Sequence, residues 1–159
     1  MEHVESLYHF SKWVLSCKGA EKQDGRTFLE LLFKAWGWQD CVEAGVSFEH
    51  KIINGGAGGG DGFADAVVEG EILIEMKSKG EDLSKTKHFS QLKRYWFNLT
   101  PKTKYAVLCN FNEFWIYDFN VQVDTPVDKL KIVDIANRWT ALSFLSKKPT
   151  TPLFGNNQI

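Results

Sequence analysis

Asp65, Glu75 and Lys77 are the residues whose types and spacing suggest chemistry in this 159-residue chain. They lie in the stretch GFADAVVEGEILIEMKSKG, residues 62–80. Side chains along a strand alternate, so Glu75 and Lys77 share a face while Met76 points the other way. A hairpin turning at Gly70 sets Asp65 opposite Glu75, with Cβ atoms about 5 Å apart. Two carboxylates facing each other across a sheet repel, so the pair calls for a cation or a proton between them. Hard oxygen ligands from one or two carboxylates plus water are what Mg²⁺ prefers. Lys77 is no metal ligand, but its ammonium can orient or deprotonate an attacking water, or steady a charged phosphate. On spacing alone, an exposed strand face with one salt bridge is the plainer reading. The neighbours weigh against it. Ile72, Leu73, Ile74 and Met76 are apolar on both faces, so Glu75 and Lys77 end a buried strand, where charges need partners.

Periodicity gives the elements that must hold these residues in place. Residues 3–17 have helical spacing, with Val4, Leu7, Tyr8, Trp13 and Val14. GAEKQDG reads as a break, and RTFLELLFKAWGW as a second helix that Gly37 ends. AGVSFEHKI is a strand candidate. Residues 62–68 and 71–77 read as a hairpin. EDLSKTKHFSQLKRYWFNL is a helix that stops before Pro101. KYAVLCN is a continuous apolar run, the pattern of a buried strand. EFWIYDF and DKLKIVDI follow as strands, and ANRWTALSFL as a closing helix. The expectation is a mixed α/β domain: one central β-sheet flanked by helices, with an extra N-terminal helix. Residues 1–20 form that helix, 21–146 the core domain, and 147–159 a polar linker or C-terminal tail.

The totals exclude several classes. The length suits one domain, and 43% hydrophobic residues with twelve Phe and six Trp suffice for a packed core. A net charge of −1 leaves no global field for nucleic acid, so any binding surface must be a local patch. No apolar run reaches the roughly 18 residues of a membrane span, and MEHVESLYHF is too polar for a signal peptide. Cys17, Cys41 and Cys109 are odd in number and lack CxxC spacing, which suits buried thiols in a reducing cytoplasm. Six of the eight positions from Gly55 to Gly62 are glycine. Neither GxGxxG nor GxxxxGK fits them, because Asp61 stands where the lysine belongs and a strand follows instead of a helix. That run reads as a flexible linker, and a nucleotide-binding enzyme is the weakest option.

Asp65-x9-Glu75-x-Lys77 matches the signature of the PD-(D/E)xK nuclease superfamily. With SFEH at 47–50, GFADAVVEGEILIEMKSKGEDLSK at 62–85, and YAVLCNFNEFWIYDF at 105–119, residues 20–146 resemble a narrower group. It is the N-terminal nuclease domain of single-chain type IIG/IIL restriction–modification enzymes, in which the nuclease precedes an adenine methyltransferase and a target-recognition domain. The resemblance implies a restriction-endonuclease-like core of prokaryotic cytoplasmic origin. It implies Asp65, Glu75 and the Met76 backbone carbonyl as ligands of Mg²⁺, for which Mn²⁺ can substitute. Lys77 would position the attacking water and stabilise the charged phosphate. Gln91 would be the helix glutamine beside the site, with Tyr95 one turn on. The chain departs from the pattern at Ala64, where the signature has proline. Glu30 is the candidate for the acidic residue of the second helix, although its register is one residue off and Lys34 lies four residues on.

Residues 77–104 carry seven Lys and one Arg against Glu81 and Asp82. Lys79, Lys85, Lys87 and Arg94 are the candidate phosphate contacts on double-stranded DNA, contacts that position DNA without reading its sequence. The chain holds no NPPY-like methyltransferase motif and no glycine-rich cofactor motif, so the resemblance implies a methyltransferase and target-recognition domain or subunit as partners. His50 reads as a structural or surface residue, and Cys109 as core. Two other readings remain: a repair or junction nuclease of the same superfamily, and a non-catalytic nucleic-acid-binding scaffold that kept the fold.

Overall fold

A computed structural model of the chain describes residues 3–155. Helix α1 (Val4–Ser16) buries Leu7, Phe10, Ser11 and Val14, a single stripe at helical spacing. Helix α2 (Glu21–Ala35) buries Phe28, Leu29, Leu32 and Phe33. The single turn α3 (Cys41–Ala44) follows, started by Asp40, whose carboxylate accepts the Glu43 N–H at 2.8 Å. Then come β1 (Val46–Ile52), the hairpin of β2 (Gly62–Val68) and β3 (Ile72–Met76), helix α4 (Thr86–Asn98), β4 (Tyr105–Cys109), β5 (Glu113–Tyr117) and β6 (Asp128–Lys131). The six strands form one sheet in sequence order. Every neighbouring pair is antiparallel except β3 and β4. A parallel pair needs a crossover, and α4 supplies it.

Each face of the sheet has its own core. Leu7, Phe28, Phe33, Ile74, Met76, Phe114 and Leu142 pack on the side of α1 and α2. Leu73, Leu92, Tyr95, Leu108 and Tyr117 pack on the side of α4. The mixed sheet flanked by helices, with its N-terminal helix, is the architecture the sequence predicts. Among the described residues no helix is long and apolar enough to cross a membrane.

Five elements differ from expectation. Helix α2 begins at Glu21, so the predicted break at GAEKQDG is its first turn. Gly25 sits inside it facing Met76, where an added Cβ would stand 3.8 Å from the Met76 side chain. Helix α4 begins at Thr86 rather than at 81, because Asp82 instead closes a turn by accepting the Ser84 N–H at 2.9 Å and the Ser84 hydroxyl at 2.6 Å. The strand expected over DKLKIVDI stops at Lys131 and turns into a 3₁₀ segment, Ile132–Asp134, and the closing helix is a 3₁₀ segment, Trp139–Leu145, kinked at Leu142. The Trp38 indole N–H donates to the Leu145 carbonyl at 2.8 Å and holds that end against the core. The stretch from 147 is not loose. Ser143 donates to the Thr150 carbonyl at 3.0 Å, Leu153 N–H to Thr140 at 3.1 Å, and Gly155 N–H to Asp128 at 2.9 Å. Residues 156–159 of the expected tail lie outside the described residues.

Candidate active site

Asp65, Glu75 and Lys77 come together where β2 and β3 part. The β2–β3 ladder pairs Val68 with Ile72, Val67 with Leu73 and Ala66 with Ile74, the register of a turn at Gly70. One step further the carboxylates take over the pairing. Asp65 N–H donates to Glu75 Oε1 at 2.7 Å, and Met76 N–H donates to Asp65 Oδ2 at 2.7 Å. Each carboxylate therefore satisfies an amide of the opposite strand with one oxygen and keeps the other.

The neighbouring ladder bends at the same place. Phe48 pairs with Ala66 and His50 with Ala64, but Glu49 and Asp65 between them do not pair. Glu49 has φ of 47°, a left-handed conformation that costs energy in a residue with a Cβ. Ala66 belongs to the core under α2 and Ala64 to the core under α4. Residues two apart in a regular strand share a face, so the ribbon turns over at Asp65. That turn aims Asp65 at a cavity of about 460 Å³ lined by Glu21, Lys22, Arg26, Phe48, Glu49 and Met76, among others.

Burial charges the site with stored repulsion. Glu75 is 4% exposed. Desolvation, then the Asp65 charge, push its carboxyl up to about 8, against the Asp65 amide and Lys77, which lower it. Asp65 is also raised, first by burial, while the Met76 N–H pulls it down and Glu21 adds to the rise. Both carboxyls are therefore held above the usual carboxylate range. Lys77 is buried too; its Nζ lies 3.8 Å from Glu75 Oε2 and donates to Gln91 Oε1 at 2.8 Å. Gln91 in turn donates to the Tyr95 hydroxyl at 3.4 Å.

Asp65, Glu75, Met76, Lys77 and Gln91 are thus gathered at one place, and Glu30 is not. Glu30 pairs with Arg26 at 3.3 Å on the exposed side of α2 and does not line the cavity that holds Asp65. The acid that faces the pair from α2 is Glu21, whose charge raises both carboxyls. Sequence reasoning missed it because Gly25 made its helical turn look like a break. Glu49 was missed as well, since nothing in SFEH signals a positive φ.

The four candidate phosphate contacts separate. Lys79 turns inward and donates to the carbonyls of Cys17 at 3.1 Å and Val14 at 3.5 Å, closing the end of α1. Lys85 pairs with Glu81 at 3.2 Å. Arg94 donates to the Gly55 carbonyl at 2.8 Å. Lys87 is exposed in the first turn of α4. The glycine run read as a flexible linker is closed by its own bonds: Gly56 N–H to Gly60 at 2.7 Å and Asn54 N–H to Asp61 at 3.2 Å. His50 is partly exposed and meets Ser47 at 2.9 Å. Cys109 is fully buried in β4, and burial raises its thiol far above the usual range.

A divalent cation fits this donor set. Asp65 and Glu75 each retain one hard oxygen, and their raised carboxyls carry surplus negative charge that a cation would relieve. No group of three or more His, Cys, Asp or Glu stands together as a ligand cluster among the described residues. Two carboxylates are hard oxygen donors, the kind that Mg²⁺ takes. Compared with known sequences, residues 4–154 match the family model described as MmeI, N-terminal domain. No curated protein and no solved structure matches the chain.

Proposed function

The chain belongs to the MmeI N-terminal domain family, the endonuclease region of type IIG restriction–modification enzymes, and from that premise we propose that it is a metal-dependent endodeoxyribonuclease module. The observation that carries the reading is the crossed bonding of Asp65 and Glu75 to each other's strand, with the Lys77 ammonium held beside them. A Mg²⁺ ion (or Mn²⁺ in its place) held by Asp65, Glu75 and the Met76 carbonyl would neutralise charge on the scissile phosphate. Glu21 lines the same cavity from α2.

The chain's own residues do the rest. The crossed amide bonds fix both carboxylates, the preorganisation that phosphoryl chemistry uses. Gln91 accepts from Lys77 and fixes the ammonium beside Glu75, where it can meet a phosphoryl oxygen and the attacking water. Water attack at phosphorus forms one P–O bond and breaks another, and the leaving oxygen departs from the opposite side. Double-stranded DNA is the substrate in this reading. Its target sequence would be read by a methyltransferase and target-recognition domain or subunit, since sequence readout takes base-edge contacts in a groove and Lys79, Lys85 and Arg94 are engaged within the fold.

Plasmid nicking tests this. The chain should nick supercoiled DNA with Mg²⁺ or Mn²⁺, EDTA should stop it, and Lys77→Ala should lower the rate about 100-fold or more. Nicking that persists in Lys77→Ala, or in EDTA, would overturn the assignment.

A further inference from the structure

The glycine run from Gly55 to Gly62 has no part in the chemistry above, yet it touches the residues that hold Lys77. A Cβ on Gly62 would stand 2.5 Å from Tyr95 Cε1 and 2.9 Å from the Gly55 carbonyl carbon. The ring of Tyr95 therefore lies directly on the backbone of residue 62. The Phe63 amide bonds the Tyr95 hydroxyl and offsets part of the rise that burial gives it. Arg94, next to Tyr95 on α4, donates to the Gly55 carbonyl at 2.8 Å, with its guanidinium 5.9 Å from the Tyr95 ring centre. Gly55 is itself packed on Ile52, where a Cβ would come within 2.7 Å of Cγ2.

Both ends of the run are thus clamped against α4 and its middle is bare. Gly58, Gly59 and Gly60 would meet nothing within 4 Å. Contact with the site runs from Gly62 to Tyr95, from Tyr95 to Gln91 at 3.4 Å, and from Gln91 to Lys77 at 2.8 Å.

We propose that Gly62 and Arg94 are positioning residues for Lys77: they seat the Tyr95 ring, and through Tyr95 and Gln91 set where the ammonium stands. The inference rests on the nuclease reading for its catalytic consequence, but not for its geometry. Glycine at 62 is required because any side chain would displace the ring. Arginine at 94 is required because it ties the loop to the helix turn that carries Gln91 and Tyr95. The loop therefore serves as a brace for the lysine.

The test compares Gly62→Ala, Arg94→Ala and the control Gly60→Ala in the full chain. The Gln91 side-chain amide is followed by ¹⁵N–¹H NMR, with Gln91→Glu to assign the signal. Nicking is followed as kcat and KM. Gly60 has open space around it and a negative φ of −79°, so its alanine should leave the amide signal and the nicking unchanged. Gly62→Ala should shift or broaden the Gln91 signal and lower kcat about tenfold or more at near-constant KM, because a displacement of about 1 Å can cost 100-fold. Arg94→Ala should act in the same direction, while Arg94→Lys restores part of the effect. A folded Gly62→Ala with an unmoved Gln91 signal overturns the proposal, as does a moved signal with unchanged kcat. If Gly62→Ala does not fold, the Arg94 pair decides by the same readouts. If the unmodified chain does not nick DNA, the nuclease reading fails, and the NMR comparison alone still decides whether the brace exists.

Discussion

At the scale of single residues, Asp65 and Glu75 serve two purposes that pull against each other. Each is an acceptor the opposite strand needs, and each is a charge that burial and its neighbour penalise. Glu75 has its carboxyl raised from an ordinary 4.5 to about 8 in the fold. Below 4.5 both folded and unfolded chains hold the proton, so nothing is lost. Between these values the folded chain holds more protons, so stability falls as pH rises through that window. Without metal, the melting temperature should therefore rise on going from pH 8.5 to pH 6, by about 2 °C or more at this size. Glu75→Gln keeps an oxygen for the Asp65 N–H and removes the titration, so its profile should be flatter. A wild-type melting temperature that falls on acidification across that window in EDTA would contradict the buried-pair account. Alanine at 75 is the poorer probe, because it relieves repulsion and orphans the Asp65 amide at once.

At the scale of elements, helix α2 is set by one missing side chain. Gly25 lies over Met76, the residue between Glu75 and Lys77, and its bare backbone lets α2 approach β3. An alanine there would meet Met76 at 3.8 Å, an ordinary contact. Alanine is also favoured over glycine inside a helix by about 1 kcal/mol. Gly25→Ala should thus leave stability unchanged or raise it by up to about 1 kcal/mol. Gly25→Leu should lower it by about 1–3 kcal/mol, because the helix must move off the strand. Urea denaturation of the two variants checks this. Equal stability of Ala and Leu would mean that α2 is not seated on Met76. The same approach carries Glu21 to the Asp65 cavity, so Gly25→Leu should also cost activity beyond its cost in stability.

At the scale of the whole molecule, the chain's last described segment is part of the fold. Phe154 sits 5.9 Å from Tyr105, which stacks on Phe144 at 4.3 Å, and Asp128 is 2% exposed beneath the Gly155 amide and Arg138. Truncation after residue 147 would expose that aromatic group and leave Asp128 with one partner fewer. Phe154 is partly buried, so its loss costs less than the ~1.5–3 kcal/mol of a fully buried Phe. Thermal melting of the truncated chain should show a drop of about 2–6 °C. An unchanged melting temperature would return this segment to the status of a linker.

The spacing of Asp65, Glu75 and Lys77, the β2–β3 register and the succession of strands along the chain were legible in the sequence. They rest on local rules: alternation along a strand, a turn at Gly70, and apolar runs too short for anything but buried strands. The cores on both faces follow from the same patterns. What the sequence did not reveal depends on partners distant along the chain. Gly25 reads as a helix breaker until Met76 is seen against it, which hid Glu21 and promoted Glu30. Lys79, Lys85 and Arg94 read as free cations until the α1 carbonyls, Glu81 and the Gly55 carbonyl are seen to bind them. The glycine run reads as slack until Tyr95 is found lying on Gly62. Type and spacing decide which chemistry a chain can hold. Which side chains remain free to perform it is decided by the contacts that only folding brings together.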